Sequence, residues 1–184
     1  MPGFNVERFK QDGLFQGGAR PSQFDVLLPG RLPWQQGRLL VQATSIPAST
    51  MGTIEVPYFG RKIKLAGDRV FSEWQTTVMN DENFLIRNEV EKWLSDINSH
   101  QSNVRSGIVT ERPATYKQNA TVFQYGKTGK TIAQYNFVGL YPSEVSTIEL
   151  DWNTTDQIET FTITWQYDYW LNTTYDGGGV PVSI

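Results

Sequence analysis

Gly126-Lys127-Thr128-Gly129-Lys130-Thr131 ends like a phosphate-binding loop, in which backbone N–H groups cradle phosphate and a lysine meets its charge. The full pattern needs glycine where Gln124 stands, and it needs a helix to follow. An alternating strand-like run follows instead, so a hairpin turn with two glycines is the better reading. His100, between Ser99 and Ser102, is the one imidazole of the chain. No G-x-S-x-G elbow accompanies it, and its place just past a helical run suits it to a helix C-terminus. Asp81-Glu82 offers a carboxylate pair of the kind that glycoside hydrolysis uses. Asn80 before them marks a helix start, which explains them as first-turn charges. Phe161, Ile163, Trp165, Tyr167 and Tyr169 alternate along one run and would make a sugar-stacking face. Such a face is more commonly core, or an interface where aromatics are enriched. Glu55, Asp68, Glu73 and Glu144 are scattered and lack metal-ligand spacing. The expectation is no catalytic, cofactor-binding or metal site.

Composition narrows the classes further. The chain has 184 residues, no cysteine and one histidine, which excludes disulfides, thiolate chemistry and any two-histidine site. Its net charge is -3, so a globally basic nucleic-acid binder is not expected. Mean hydropathy is -0.41 and 13% of residues are aromatic, which fits a soluble globular domain. No stretch approaches the roughly 18 apolar residues that span a bilayer. Met1-Pro2-Gly3-Phe4-Asn5 lacks the basic then apolar pattern of a signal peptide, so a protein made in the cytoplasm is expected. Sequons at Asn119, Asn153 and Asn172 read as chance in a Thr- and Asn-rich chain.

The elements follow from periodicity. Residues 1–21 have no period but carry Phe4, Val6, Phe9, Leu14 and Phe15, the mark of an arm that docks on something. Strands are expected at 24–28 and 37–46, the second with Leu39, Val41 and Ala43 on one face. Residues 47–68 are too long for a plain connection and too apolar for a solvated loop. Within them, Ile54-Glu55-Val56 and Lys62-Ile63-Lys64-Leu65 could pair as a hairpin. A strand over 70–80 puts Trp74, Thr76 and Val78 on one face. Ile86, Val90, Trp93, Leu94 and Ile97 then fall at helical spacing, which predicts a helix over 83–99. Residues 100–117 look irregular. Strands at 121–125 and 130–138 flank the glycine turn, and others are expected at 145–150 and 161–169, the last being the longest. The sum is a mainly β chain, an antiparallel β-sandwich or barrel with one packed α-helix.

One block of residues resembles a known family. Val56-Pro57-Tyr58-Phe59-Gly60-Arg61, Ala66-Gly67-Asp68-Arg69, Trp74, Thr77-Val78-Met79-Asn80-Asp81, Phe84, Ile86-Arg87-Asn88 and Trp93 resemble the tail tube proteins of contractile-tailed, T-even-like bacteriophages. The similarity covers most of the chain. Tubes of pyocins, extracellular injection systems and type VI secretion share that fold and are the nearest alternatives. The resemblance implies a single tail tube domain over residues 1–184 that forms hexameric rings. The rings stack into a tube within a contractile sheath, and neighbouring subunits join their sheets into one inner barrel. It further implies growth from a baseplate around a tape-measure protein, closure by a terminator, and passage of DNA without specific binding. The place of action would be the virion tail, assembled in the host cytoplasm, with no membrane, no cofactor and no enzymatic activity.

The residues then receive expected roles. The 47–68 excursion becomes a ring-stacking loop, with Met51, Ile54, Val56, Tyr58, Phe59 and Ile63 at the inter-ring contact. The arm 1–21 and the Gly-rich tail 171–184 become subunit or sheath contacts. Polar strand faces should line the lumen: Arg38, Gln42, Glu73, Gln75, Thr77, Gln124, Gln134 and Asn136. A basic lining would hold DNA by phosphate neutralisation, whereas a neutral hydrated one lets it slide. Two other readings remain, a monomeric carbohydrate-binding sandwich and a two-carboxylate glycosidase. Neither explains the apolar excursion.

Overall fold

The computed structural model describes residues 6, 10, 18–32, 38–102, 113–175 and 181–182. Most of the arm, residues 103–112 and the Gly177–Gly179 stretch therefore lie outside the described residues. The strands are β1 (Phe24–Leu27), β2 (Val41–Thr44), β3 (Ser49–Tyr58), β4 (Arg61–Phe71), β5 (Trp74–Met79), β6 (Gln118–Tyr125), β7 (Thr131–Val145), β8 (Thr160–Gln166), β9 (Tyr169–Tyr175) and β10 (Pro181–Val182). Helix α1 spans Leu85–Ile97, and a single turn α2 spans Pro113–Tyr116.

Every pairing is antiparallel, and β7 belongs to two sheets. Its first half pairs with β6 and β9, in a sheet that β1 and β10 extend; this is sheet A. Its second half pairs with β8, followed by β5 and β2; this is sheet B. The changeover falls at Gly139, which has φ +70°. Opposite it the partner ribbon breaks at Tyr167-Asp168, between β8 and β9, and the Asp168 N–H donates to the Val138 carbonyl at 3.0 Å. Bends of this kind let one strand turn the corner between packed sheets.

The core fills the space between the sheets and α1. On β5, Trp74, Thr76 and Val78 are buried while Gln75 faces out, as the alternation requires. Trp74 stacks on Phe137 of sheet A at 4.3 Å, and Trp165 lies 6.1 Å from Trp74 and 6.0 Å from Trp93 of α1. Each indole also finds an acceptor. Trp165 Nε1 donates to Thr76 Oγ1 at 2.9 Å, Trp74 Nε1 to Thr44 Oγ1 at 2.9 Å, and Trp93 Nε1 to the Tyr116 carbonyl at 3.0 Å. A buried aromatic contributes its full apolar area only when its polar tip is satisfied.

Several boundaries differ from the periodicity reading. Asn80 does not cap the helix; its backbone and side chain bind Glu159, and Asp81 Oδ1 instead accepts the Leu85 N–H at 3.0 Å. The chain turns through Phe84, at φ 53°, before helical geometry begins, so Asp81 and Glu82 precede the first turn. Ile86, Val90 and Trp93 form the buried stripe as expected. Residues 146–150 are not a strand, because β7 ends at Val145. The longest strand is β7 rather than the aromatic run near the C-terminus, which breaks at the corner. Residues 171–175, read as tail, belong to β9. On the second strand Val41 is buried, but Leu39 and Ala43 are exposed, because regular pairing begins only at Val41 and is bulged beside it.

Candidate assembly interface

Strands β3 and β4 stand apart from the sandwich. Among the described residues they pair only with each other, as a two-stranded sheet. At about 3.3 Å per residue the hairpin is roughly 30 Å long. The 47–68 excursion is thus a hairpin, longer than the pairing read from its apolar residues. Its register sorts the side chains. Ile54 faces Leu65, Val56 faces Ile63 and Tyr58 faces Arg61, all on one side; Glu55 faces Lys64 and Pro57 faces Lys62 on the other. One side is therefore an apolar strip and the other is charged, with Lys62 Nζ bonded to Glu55 Oε2 at 2.7 Å. Every residue of β3 is exposed. Isolated two-stranded hairpins are marginal in water, so an amphipathic one with a bare apolar side calls for a partner.

The tip carries a second signal. Phe59 and Gly60 form the two-residue turn with φ values of 42° and 79°. Positive φ at both positions matches the twist of a hairpin but is ordinarily given to Asn-Gly or Gly-Gly. Phenylalanine in this conformation is uncommon, and here its ring is 92% exposed, edge-on to Tyr58 at 4.7 Å. Strain and apolar exposure spent on one residue point to a contact outside the chain.

The root is held firmly. Phe71 packs on Tyr167 and Trp170 at 6.2 and 5.9 Å, and the Tyr167 hydroxyl donates to the Ser72 carbonyl. Burial pushes the Tyr167 phenol up to about 12, so it remains a donor. Further out, a bulge at Gly52 opposite Gly67-Asp68 bends the ladder. A Cβ on Gly67 would come within 3.1 Å of the Gly52 backbone, so the strands approach closely there.

Of the six expected contact residues, Ile54, Val56, Tyr58 and Ile63 share the apolar side and Phe59 crowns it. Met51 lies beyond the bulge, opposite Arg69. Leu65 completes the strip and was not among the six. The eight expected lumen residues do not share a surface. Glu73, Gln75 and Thr77 follow one another along the outer side of sheet B, where Gln166 donates to Glu73 at 2.7 Å, and Gln42 is exposed at the neighbouring bulge. Gln134 and Asn136 lie on the outer side of sheet A, bonded to each other at 2.8 Å. Arg38 is paired with Asp25 on that side, which holds its guanidinium pKa above the usual value. Gln124 shares the inner side with Ala120 and Val122.

The candidates for chemistry dissolve into structure. The Gly126–Lys130 stretch closes the β6–β7 hairpin, with the Gly126 N–H donating to the Lys130 carbonyl at 2.8 Å. Phe161, Ile163 and Trp165 are core. Among the described residues no group of three or more His, Cys, Asp or Glu side chains could hold a metal ion. No helix among them is long and apolar enough to cross a membrane.

Comparison with known proteins agrees with this geometry. A family model described as phage tail tube protein matches residues 19–173. The tail tube protein gp19 of Enterobacteria phage T4 is 36% identical over 167 residues, spanning 90% of this chain and 97% of that protein. The tail tube protein of Serratia phage KSP90 is 28% identical over 129 residues, 70% of this chain and 71% of its own length. Among solved structures, the tube-terminating cap of the anti-feeding prophage superposes with a TM-score of 0.63 at 16% identity, covering 85% of this chain and 91% of that one. A chain of the sheath–tube complex of an extracellular contractile injection system gives 0.61 at 14% identity, covering 94% and 99%. At such identities these two show the shared fold. Taken with the exposed hairpin, the family match and the gp19 relative establish that this chain belongs to the phage tail tube protein family and serves as a structural component of the virion tail.

Proposed function

We propose that the chain builds hexameric rings that stack into the inner tube of a contractile tail, and that it catalyses no reaction. The observation that carries this is the β3–β4 hairpin, whose β3 strand is exposed throughout and whose apolar side and strained Phe59 tip have no use in a monomer. Met51, Ile54, Val56, Tyr58, Phe59 and Ile63, with Leu65, make the contact between rings. Within a ring, the open edge of β2 in one copy meets the free second half of β7 in the next, which leaves neither edge of sheet B bare. A sheath outside and terminator and baseplate proteins at the ends are supported by solved relatives of the same fold, whose structures are a sheath–tube complex, a sheath/tube terminator and a baseplate. A tape-measure protein and then DNA occupy the bore. The arm 1–21 and the C-terminal tail reach neighbouring subunits or the sheath.

The lumen belongs to the outer side of sheet B. That side presents Glu73, Gln75, Thr77, Glu144, Thr160 and Thr162, and no Lys or Arg lies on its strands. The outer side of sheet A instead bears Leu27, Phe123 and Leu171, which suit protein contact better than water. A neutral to mildly acidic lining gives phosphates nothing to bind. Phages carrying Gln75→Lys with Thr77→Lys should assemble normal tubes yet release their genome about tenfold more slowly, with the delay relieved by salt. Unchanged release from such tubes would move the lumen to another face. Negative-stain electron microscopy of the purified chain tests the assembly itself: hollow sixfold rings or tubes are expected. Small particles alone, at high concentration and with baseplate seeds, would overturn the reading.

A further inference from the structure

Sheet B has two ends, and the chain loads them with opposite charge. The hairpin leaves at the end where Trp74 faces Trp165. At the other end, where Met79 faces Thr160, residues 146–159 connect β7 to β8. The hairpin carries Arg61, Lys62, Lys64 and Arg69 against Glu55 and Asp68. Lys62 is paired with Glu55, whereas Arg61, Lys64 and Arg69 have no ion-pair partner among the described residues. The opposite connection carries Glu149, Asp151, Asp156 and Glu159 and no base. It also bares three large apolar side chains: Trp152 is 100% exposed, Leu150 80% and Ile158 68%. The turn that presents Trp152 is built, not slack, since Asn153 donates to Asp151 Oδ1 from its backbone at 2.9 Å and from its side chain at 3.1 Å. A tryptophan standing in water on an ordered turn is the residue type that anchors interfaces.

We propose that the β3–β4 hairpin of one copy seats on the 146–159 connection of a second copy, apolar against apolar and base against acid. The inference rests on the tube-building reading above and names the acceptor of that same hairpin. Because two different patches meet, the contact is heterologous; it repeats without closing, as an elongating tube requires. Hairpin against hairpin would set base against base and close at a dimer. The second copy is the natural occupant because both complementary halves lie on one chain, at its two ends.

The absence of cysteine gives a clean test. Chains carrying Arg61→Cys, on the apolar side of the hairpin beside Tyr58, with Asn153→Cys are assembled into tubes and then oxidised. The two positions lie beyond opposite ends of sheet B, so no bridge can form within one chain. A ladder of covalent multimers beyond dimer is expected from the double variant, and nothing beyond dimer from either single one. Tubes of normal appearance without a ladder, from this pair and from Ile63→Cys with Asp151→Cys, would overturn the proposal while leaving the tube-building reading intact. A second arm uses charge. Arg61→Glu should raise the concentration needed for tube growth about tenfold, and adding Glu149→Lys with Asp151→Lys should restore it. Failure of the combined variant to recover, although folded, also overturns the pairing.

Discussion

Chains carrying Tyr58→Asp or Phe59→Asp will fold like the parent and will not grow tubes. Folding is spared because the tip is exposed, Tyr58 at 61% and Phe59 at 92%, and lies far from the core. Assembly is lost because burying a phenylalanine contributes about 1.5–3 kcal/mol, which the substitution forfeits. In its place a carboxylate must shed water, at several kcal/mol unless it finds a partner. The penalty recurs at every subunit of a ring, so even the smaller term removes growth at any practical concentration. Sedimentation and negative-stain microscopy read the outcome, and near-UV circular dichroism confirms the fold. Tubes of normal length from both variants would show that the hairpin tip lies outside the stacking contact. Phe59→Asn is the informative control. It suits the positive-φ turn better than phenylalanine and should stabilise the hairpin while still impairing assembly, separating the use of the ring from the strain of holding it.

The second large effect is expected in the fold itself, at the corner of β7. Gly139→Val places a β-branched residue at φ +70°, and a Cβ there would sit 2.1 Å from Asp168 Oδ2 and 2.7 Å from Asp168 Cγ. The side chain of Asp168, now paired with Lys117, would have to swing away. The backbone term alone costs about 1–3 kcal/mol, and a branched side chain falls at the upper end. The exposed ion pair adds little. A loss of about 3 kcal/mol is expected in urea unfolding of the subunit. Gly139→Ala tested with and without Asp168→Ala separates the two causes: the clash is relieved in the double variant and the backbone strain is not. Equal stability of Gly139→Val and the parent would mean that the corner does not depend on positive φ. Because this bend joins sheet A to sheet B, loosening it should also weaken ring formation in chains that still fold.

Local pattern carried much of this molecule. The alternation from Trp74 to Met79 is legible because a strand with one side in the core must place apolar groups two apart. Ile86, Val90 and Trp93 announce α1 because only a helix brings those spacings to one side. The Gly126–Gly129 turn shows itself through its glycines. The excursion at 47–68 stood out because an apolar segment of that length has no place in a solvated loop, and five of the six residues expected at a contact share the apolar side and tip of the hairpin. Tertiary structure decided the rest, because the rest depends on which strand pairs with which. Nothing local says that β7 passes through Gly139 and serves two sheets, or that the aromatic run near Trp165 breaks opposite it. The cap of α1 was misplaced for the same reason: Asn80 is a good cap by type, but Glu159 across the sheet claims it first. The eight residues expected at a lumen show this most clearly. Polarity marks a residue as facing away from the core, yet a sandwich has two outer sides and both carry polar residues. Only the pairing assigns Gln75 and Thr77 to one side and Gln134 and Asn136 to the other, and turns Gln124 inward.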